Sequence, residues 1–199
     1  MHAYLAGLAT GLSLIVAIGA QNAFVLKQGL LRRHVLAVCL FCAASDAALI
    51  TLGVPGTGRI AALAPWATVA MTLGGAVFLI CYGARSFLAA ARGGEALRAR
   101  ASEGGAGLAA TLAAIAMLTW ANPHVWLDTV VLLGAVSAEF ADKAAFAAGA
   151  ITGSFAFFFA LGYGARLLAP IFASPRAWQV LELFIGCIMW AIAARLLMG

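Results

Sequence analysis

Long apolar runs separated by short polar connections make up most of this chain. The runs cover six ranges: 3–26, 35–54, 66–91, 107–137, 144–168 and 177–198. Each is as long as, or longer than, the roughly 20 residues that a helix needs to cross about 30 Å of hydrocarbon. The pattern therefore predicts an all-α integral membrane protein with six transmembrane helices. The connections are too short to form a separate soluble domain.

Composition supports the same class. The chain is 65% hydrophobic and 10% charged, and its mean hydropathy is +1.05. No ordinary soluble domain has these values. A net charge of +5 would suggest nucleic acid in a soluble protein, but here we expect no nucleic-acid partner, because the charges belong to the loops of a membrane protein.

The distribution of basic residues predicts the orientation in the membrane. One side of the six-helix topology holds nine of them, against three on the other side. The nine are Lys27, Arg32, Arg33, Arg85, Arg92, Arg98, Arg100, Arg166 and Arg176; the three are Arg59, Lys143 and Arg195. Because basic loops stay in the cytoplasm, we expect both termini to be external.

The two halves of the chain show a weak internal similarity. Asn22-Ala-Phe-Val25 aligns with Asn122-Pro-His-Val125, Ser45 aligns with Ser154, and Ala84-Arg85 aligns with Ala194-Arg195. Two copies of a three-helix unit must cross the membrane in opposite senses, which is the inverted repeat of many secondary transporters. We expect one transmembrane domain over 1–199, with a first repeat over 1–92, a cytoplasmic hinge over 93–106 and a second repeat over 107–199. Chance similarity among Ala-, Leu- and Gly-rich helices is the alternative.

The first helix of each repeat contains amides and a predicted break. Pro123 lacks a backbone donor and clashes with the preceding turn, and Gly19 is a weaker equivalent in the first helix. Backbone groups freed at a break must be satisfied internally. Gln21, Asn22 and Asn122 can satisfy them, bind a polar substrate there, or serve only as structural hydrogen bonds between helices.

Ionisable side chains inside the apolar runs are the second candidate feature. Asp46 lies near the middle of the second run, where an unpaired carboxylate is expensive. Asp128 follows the second break, and His124 lies one helical turn before it. We expect Asp46 and Asp128 to bind substrate and, with His124, to couple protons. The alternatives are a structural pair of Asp46 with Arg85 or Arg195, a permanently neutral Asp46, a solvated helix end for Asp128, and simple packing for His124.

Other features have structural interpretations. Glu182 is expected to complement the positive end of the last helix, and Arg85 and Arg195 to extend toward the membrane surface. Gly7 and Gly11, like Gly149 and Gly153, have the spacing that permits close helix contact. The sequence contains no metal-ligand spacing and no Gly-rich ATP loop, so we expect no metal, no cofactor and no enzymatic activity.

Two segments resemble the lysine/arginine exporter (LysE/ArgO) family. They are Gly19-Ala-Gln-Asn-Ala-Phe-Val-Leu-Lys-Gln-Gly29 and Asn122-Pro-His-Val-Trp-Leu-Asp-Thr129. The resemblance covers essentially the whole chain and implies export of arginine, lysine or close analogues across the bacterial inner membrane. Trp126 stands where the family pattern has Tyr, which keeps an aromatic at the site and changes its hydrogen bonding.

An ion gradient must drive such export, and exchange for protons is the simplest coupling, because it cancels the charge of a cationic substrate. The expected partners are therefore a small cationic amino acid, protons and the lipid bilayer, and a homo-oligomer is compatible with this class. One alternative is export of a neutral amino acid or another small solute. Others are a purely structural or partner-binding membrane subunit, and a thiol-disulfide relay through four cysteines: Cys39, Cys42, Cys81 and Cys187.

Overall fold

The computed structural model describes residues 1–16, 19–54, 65–92, 106–168 and 170–198. The regular elements in these ranges are helices. In chain order they are α1 His2–Ile15, α2 Ala20–Leu31, α3 Val35–Gly53, α4 Pro65–Ala91, α5 Leu108–Trp120, α6 Pro123–Trp126, a π-helix Leu127–Leu132, α7 Leu133–Ser137, α8 Lys143–Gly164, 3₁₀ turns Ala165–Leu168 and Ile171–Ala173, and α9 Pro175–Met198. All but residue 106 of the predicted hinge over 93–106 lies outside the described residues.

The first predicted span is divided into α1 and α2, whose axes differ by 83°. Gly19 lies directly before α2 in an extended conformation, with φ −115° and ψ 176°. Extended backbone at this point cannot continue the hydrogen-bond ladder of α1, so α2 starts a new helix. The interruption thus falls at the glycine that the sequence singled out.

The fourth predicted span is interrupted as well. Helix α5 ends at Trp120, and α6 begins at Pro123. Proline is well suited to a first helical position, where its missing donor costs nothing. The chain then continues through the π-helix into α7, so this segment is four short elements rather than one straight helix.

Within the described ranges, four helices are long and apolar enough to cross a membrane: Val35–Gly53, Leu73–Ala91, Lys143–Leu168 and Pro175–Met198. The bent pair of α1 and α2 adds a fifth candidate span, and α5 is a shorter apolar helix. The described part of the chain is therefore an α-helical membrane protein. These lengths support fewer uninterrupted spans than the six that the apolar runs predicted.

Helices α1 and α8 pack closely because their small residues face each other. A β-carbon on Gly7 would collide with the carbonyl of Phe146, and one on Gly149 would collide with the carbonyl of Tyr4. The two glycine motifs predicted from the sequence are therefore the two sides of one contact. This contact holds the first half of α1 against the start of α8.

The core lies where α2, α3, α5, α8 and α9 meet. Its fully buried members include Cys39, Ile115, Phe158, Ile185 and Met189. Helix α4 packs mainly against α9, and α5 packs against α3. Large apolar side chains such as Val77, Leu183 and Phe184 are exposed on the outer surface, as expected for helices that face hydrocarbon.

Candidate substrate site

A cavity of about 280 Å³ lies where the two helix breaks meet α3, α8 and α9. The residues that line it are Leu14, Ile15, Gly19, Ala20, Gln21, Asn22, Asp46, Asn122, Val125, Asp128, Thr129, Phe158, Ile192 and Arg195. Its volume is close to the lower end of the range for small-molecule sites. Seven of the fourteen lining residues are polar or charged, more than the few polar groups that such sites usually have.

The structure brings together the five side chains that the sequence predicted to bind substrate. Gln21 and Asn22 come from the first turn of α2, Asp46 from the middle of α3, Asn122 from the residue before α6, and Asp128 from the π-helix. They are separated by up to about 100 positions in the sequence. The side chains of Pro123 and His124 lie outside the described part of the structure.

Asn22 links the two sides of the first break. Its Nδ2 donates a hydrogen bond of 2.6 Å to the carbonyl oxygen of Ile15, the last residue of α1. A helix end leaves its last carbonyls without intrahelical donors, and Asn22 supplies a donor to one of these carbonyls. The amide therefore has a structural contact while it also lines the cavity.

The second break is held by two tryptophans. Trp126 Nε1 donates to the carbonyl of Trp120 at 3.0 Å, and the rings meet edge to face with centroids 5.7 Å apart. Trp120 Nε1 in turn donates to Ser45 Oγ on α3 at 3.1 Å. Trp126 is not among the described residues that line the cavity. Its indole instead satisfies a carbonyl that the break leaves open.

Asp46 is the buried acid of the cavity, with 4% of its surface exposed. Ser154 Oγ on α8 donates to Asp46 Oδ2 at 2.7 Å, and Ser154 is completely buried. This hydroxyl compensates part of the cost of placing a carboxylate in an apolar interior. The sequence had aligned Ser154 with Ser45 as a repeat match without assigning it a contact.

Asp128 occupies a different environment. Its side chain is exposed, and its carbonyl oxygen accepts from the backbone N–H of Leu133 in the wider ladder of the π-helix. π-Helical turns are rare and are often found at functional sites. The cavity therefore has one carboxylate in its interior and one at an accessible position.

Gln21 has a buried donor that lacks a well-formed hydrogen bond. The side chain is 9% exposed, and its Nε2 atom makes no hydrogen bond of standard geometry, with the Cys42 thiol as its neighbour. A buried polar group without a partner is uncommon and costly. Since Gln21 lines the cavity, a bound polar ligand is a suitable acceptor for this N–H group.

Arg195 is a cavity residue that the sequence did not predict for the site, and its side chain is also exposed. Its position near the end of α9 suggested a side chain directed toward the membrane surface, but the structure includes it in the cavity lining beside Ile192. These two residues are three positions apart and so share one face of the helix. The signals in the sequence were the repeat match of Arg85 with Arg195 and the possible pairing of Asp46 with either arginine.

Glu182 also differs from its prediction. It is completely buried and lies eight residues into α9, beyond the first turn where a helix dipole acts. Lys27 Nζ on α2 pairs with Glu182 Oε1 at 2.5 Å, and the ring of Tyr82 lies 5.9 Å from the same ammonium group. A buried ion pair between α2 and α9, rather than a dipole interaction, explains this acid.

Comparison with known proteins assigns the family. The family model described as LysE type translocator matches residues 12–199. This chain belongs to that family. The translocator is 38% identical to the arginine exporter protein ArgO of Escherichia coli strain K12 over 195 residues, which cover 97% of this chain and 92% of the relative. It is 40% identical to the ArgO protein of Pectobacterium atrosepticum over 197 residues, covering 97% and 95%.

No solved structure matches this translocator. The family membership predicted from the two sequence motifs is confirmed, and the protein is a membrane transporter rather than an enzyme.

Proposed function

We propose that this translocator exports basic L-amino acids, arginine or lysine or both, from the bacterial cytoplasm across the inner membrane in exchange for protons. The observation that supports it best is one cavity, at two helix breaks, lined by two carboxylates and three side-chain amides. Relatives that match nearly the full length of the chain are named arginine exporters.

The cavity chemistry suits a cationic amino acid. Asp46 and Asp128 provide anionic partners for its two positive groups, and charge-assisted hydrogen bonds of this kind are the stronger ones. The buried Nε2 of Gln21 is a donor for the substrate carboxylate. A neutral amino acid would bring only one positive group to the two carboxylates.

Proton exchange follows from the electrical work of export. Moving one positive charge outward against an inside-negative potential costs about 2.3 kcal/mol per 100 mV. An inward proton cancels that charge movement. Asp46 is the proposed proton carrier, because a buried carboxylate is stabilised either by a proton or by a bound cation, and Asp128 and His124 are the proposed additional members of the pathway.

Helix packing supports the inverted repeat that we propose for the fold. The first helix of one half, α1, packs on α8, and the first helix of the other half, α5, packs on α3. The last helices of the halves, α4 and α9, pack on each other. In each half the first helix thus packs on a helix of the other half, and the last helices pair, as expected for two inverted three-helix units. We propose six spans with both termini external, which reporters fused after Gly199 and within residues 93–105 will test.

Counterflow in proteoliposomes tests the transport function. Purified protein is reconstituted with an excess of unlabelled arginine inside, and uptake of labelled arginine or lysine is followed. Transient accumulation above equilibrium is expected for either substrate, and liposomes without the protein give the baseline. Counterflow of a neutral amino acid without counterflow of arginine or lysine would contradict the proposal.

A further inference from the structure

The charged groups of the cavity form a specific set. Among the described lining residues, Asp46 and Asp128 are anionic and Arg195 is cationic. A basic amino acid has an ammonium group, a cationic side chain and a carboxylate. The protein therefore presents two negative charges and one positive charge to a substrate with two positive charges and one negative charge.

Arg195 is chemically suited to the substrate carboxylate. A guanidinium group is planar and presents paired N–H donors that match the two oxygens of a carboxylate. Without such a role, Arg195 would be unfavourable in a site for cationic substrates, because an arginine repels the guanidinium or ammonium group of the substrate. A positive charge in this cavity is favourable where the substrate is negative.

The placement of Arg195 on α9 supports this role. Ile192 and Arg195 lie on one face of the helix and both line the cavity. Both acids come from other elements, Asp46 from α3 and Asp128 from the π-helix. Cationic and anionic recognition are thus on separate helices, so that both ends of an amino acid can be held at once.

We propose that Arg195 binds the α-carboxylate of the substrate and selects amino acids over amines and amides that lack this charge. The inference rests on the proposed function and deepens it. Gln21 then supplies an additional donor to the same carboxylate, while Asp46 and Asp128 hold the cations.

The test compares arginine with argininamide, in which a neutral amide replaces the carboxylate. Each compound competes with labelled arginine in the counterflow assay, and the ratio of half-inhibitory concentrations is measured for the wild type, Arg195→Gln and Arg195→Lys. Arg176→Gln, an exposed arginine at the other end of α9, is the matched control. Intact counterflow by the wild type supports transport of basic amino acids independently of this inference.

The wild type and Arg176→Gln are expected to prefer arginine. Arg195→Gln should weaken arginine binding by about 10- to 100-fold, as expected for loss of a charged hydrogen bond, with little change for argininamide. Arg195→Lys should show a preference for arginine between that of the wild type and that of Arg195→Gln. It provides the test if the glutamine variant does not fold. An unchanged preference in both variants, or no preference in the wild type, would overturn the role of Arg195. Absence of counterflow of arginine and lysine by the wild type would instead overturn the proposed function.

Discussion

Ser154 on α8 donates a hydrogen bond of 2.7 Å to Asp46 on α3, and both side chains are buried. The two residues are far apart in the sequence, and each comes from a long apolar helix. Their contact places a stabilised carboxylate at the wall of the cavity. Substitutions at these two positions distinguish the contribution of the Asp46 charge from that of the hydrogen bond that Ser154 donates to it.

Asp46→Asn is expected to stop net arginine export driven by a pH gradient. Asparagine keeps the shape of the side chain but has no charge and cannot exchange a proton. Asp46→Glu should retain a fraction, because the carboxylate is kept and displaced by one methylene. Labelled arginine and proton flux are measured together in proteoliposomes with the membrane potential clamped to zero. Glu139→Gln, which removes an exposed carboxylate, is the control, and undiminished coupled flux in Asp46→Asn would move the carrier role to Asp128.

Ser154→Ala is expected to reduce the export rate less than Asp46→Asn does, because the carboxylate remains but loses one donor. Hydrogen bonds to charged groups contribute about 1.5–3 kcal/mol. Ser154→Thr, which keeps the hydroxyl, should retain more activity if the added methyl group is accommodated. Thr152→Ala is the matched control, since Thr152 is exposed on the same helix and its hydroxyl donates only to the carbonyl of Ala148. Equal rates in Ser154→Ala and the wild type would show that the bond to Asp46 has no part in transport.

Asn22→Ala is expected to abolish or strongly reduce export while the folded protein remains in the membrane. The substitution removes the donor to Ile15 O at the first break and a polar group from the cavity. Asn122→Ala at the second break should behave alike. Gln179→Ala is the control, because that side chain also donates to a backbone carbonyl, Ala90 O, but away from the cavity. Export rate and membrane abundance are measured for each, and normal export by both Asn variants would assign the amides to packing alone.

Lys27→Met is expected to destabilise the protein by about 3–5 kcal/mol, because it leaves the fully buried Glu182 without its cation. The double variant Lys27→Met/Glu182→Gln should regain part of that loss, since no uncompensated charge remains. Apparent melting temperature in detergent provides the measurement. Lys143→Met removes an exposed lysine and is expected to have little effect. A double variant less stable than Lys27→Met would be inconsistent with the buried pair.

Gly149→Ala is expected to disrupt the contact of α8 with α1, because the new β-carbon would meet the carbonyl of Tyr4. Gly74→Ala is the matched control on α4, where a β-carbon meets nothing within 4 Å. Alanine favours a helix by up to about 1 kcal/mol over glycine, so the control should be neutral or slightly stabilised. Equal thermal stability of the two variants would mean that α1 and α8 are less closely packed than the structure shows.

Several features followed from the sequence alone because they depend on local chemistry. Apolar runs of sufficient length predict membrane helices whatever their partners are. Pro123 interrupts a helix through its own ring and missing N–H. An acid such as Asp46 in an apolar run is costly wherever the helix is placed, and this made it a candidate before any contact was known.

The pairing of polar groups across the helices was decided only by the tertiary structure. The spacing of residues along a helix defines its faces, but it does not determine which other helix each face contacts. Arg195 and Glu182 illustrate this limit. Both are compatible with a helix end in the sequence, yet the packing of α9 brings Arg195 to the cavity and Glu182 to Lys27. Their roles depend on the rotation of α9 about its axis and on its neighbours, because burial and charge pairing are set by contacts between segments that are distant in the chain.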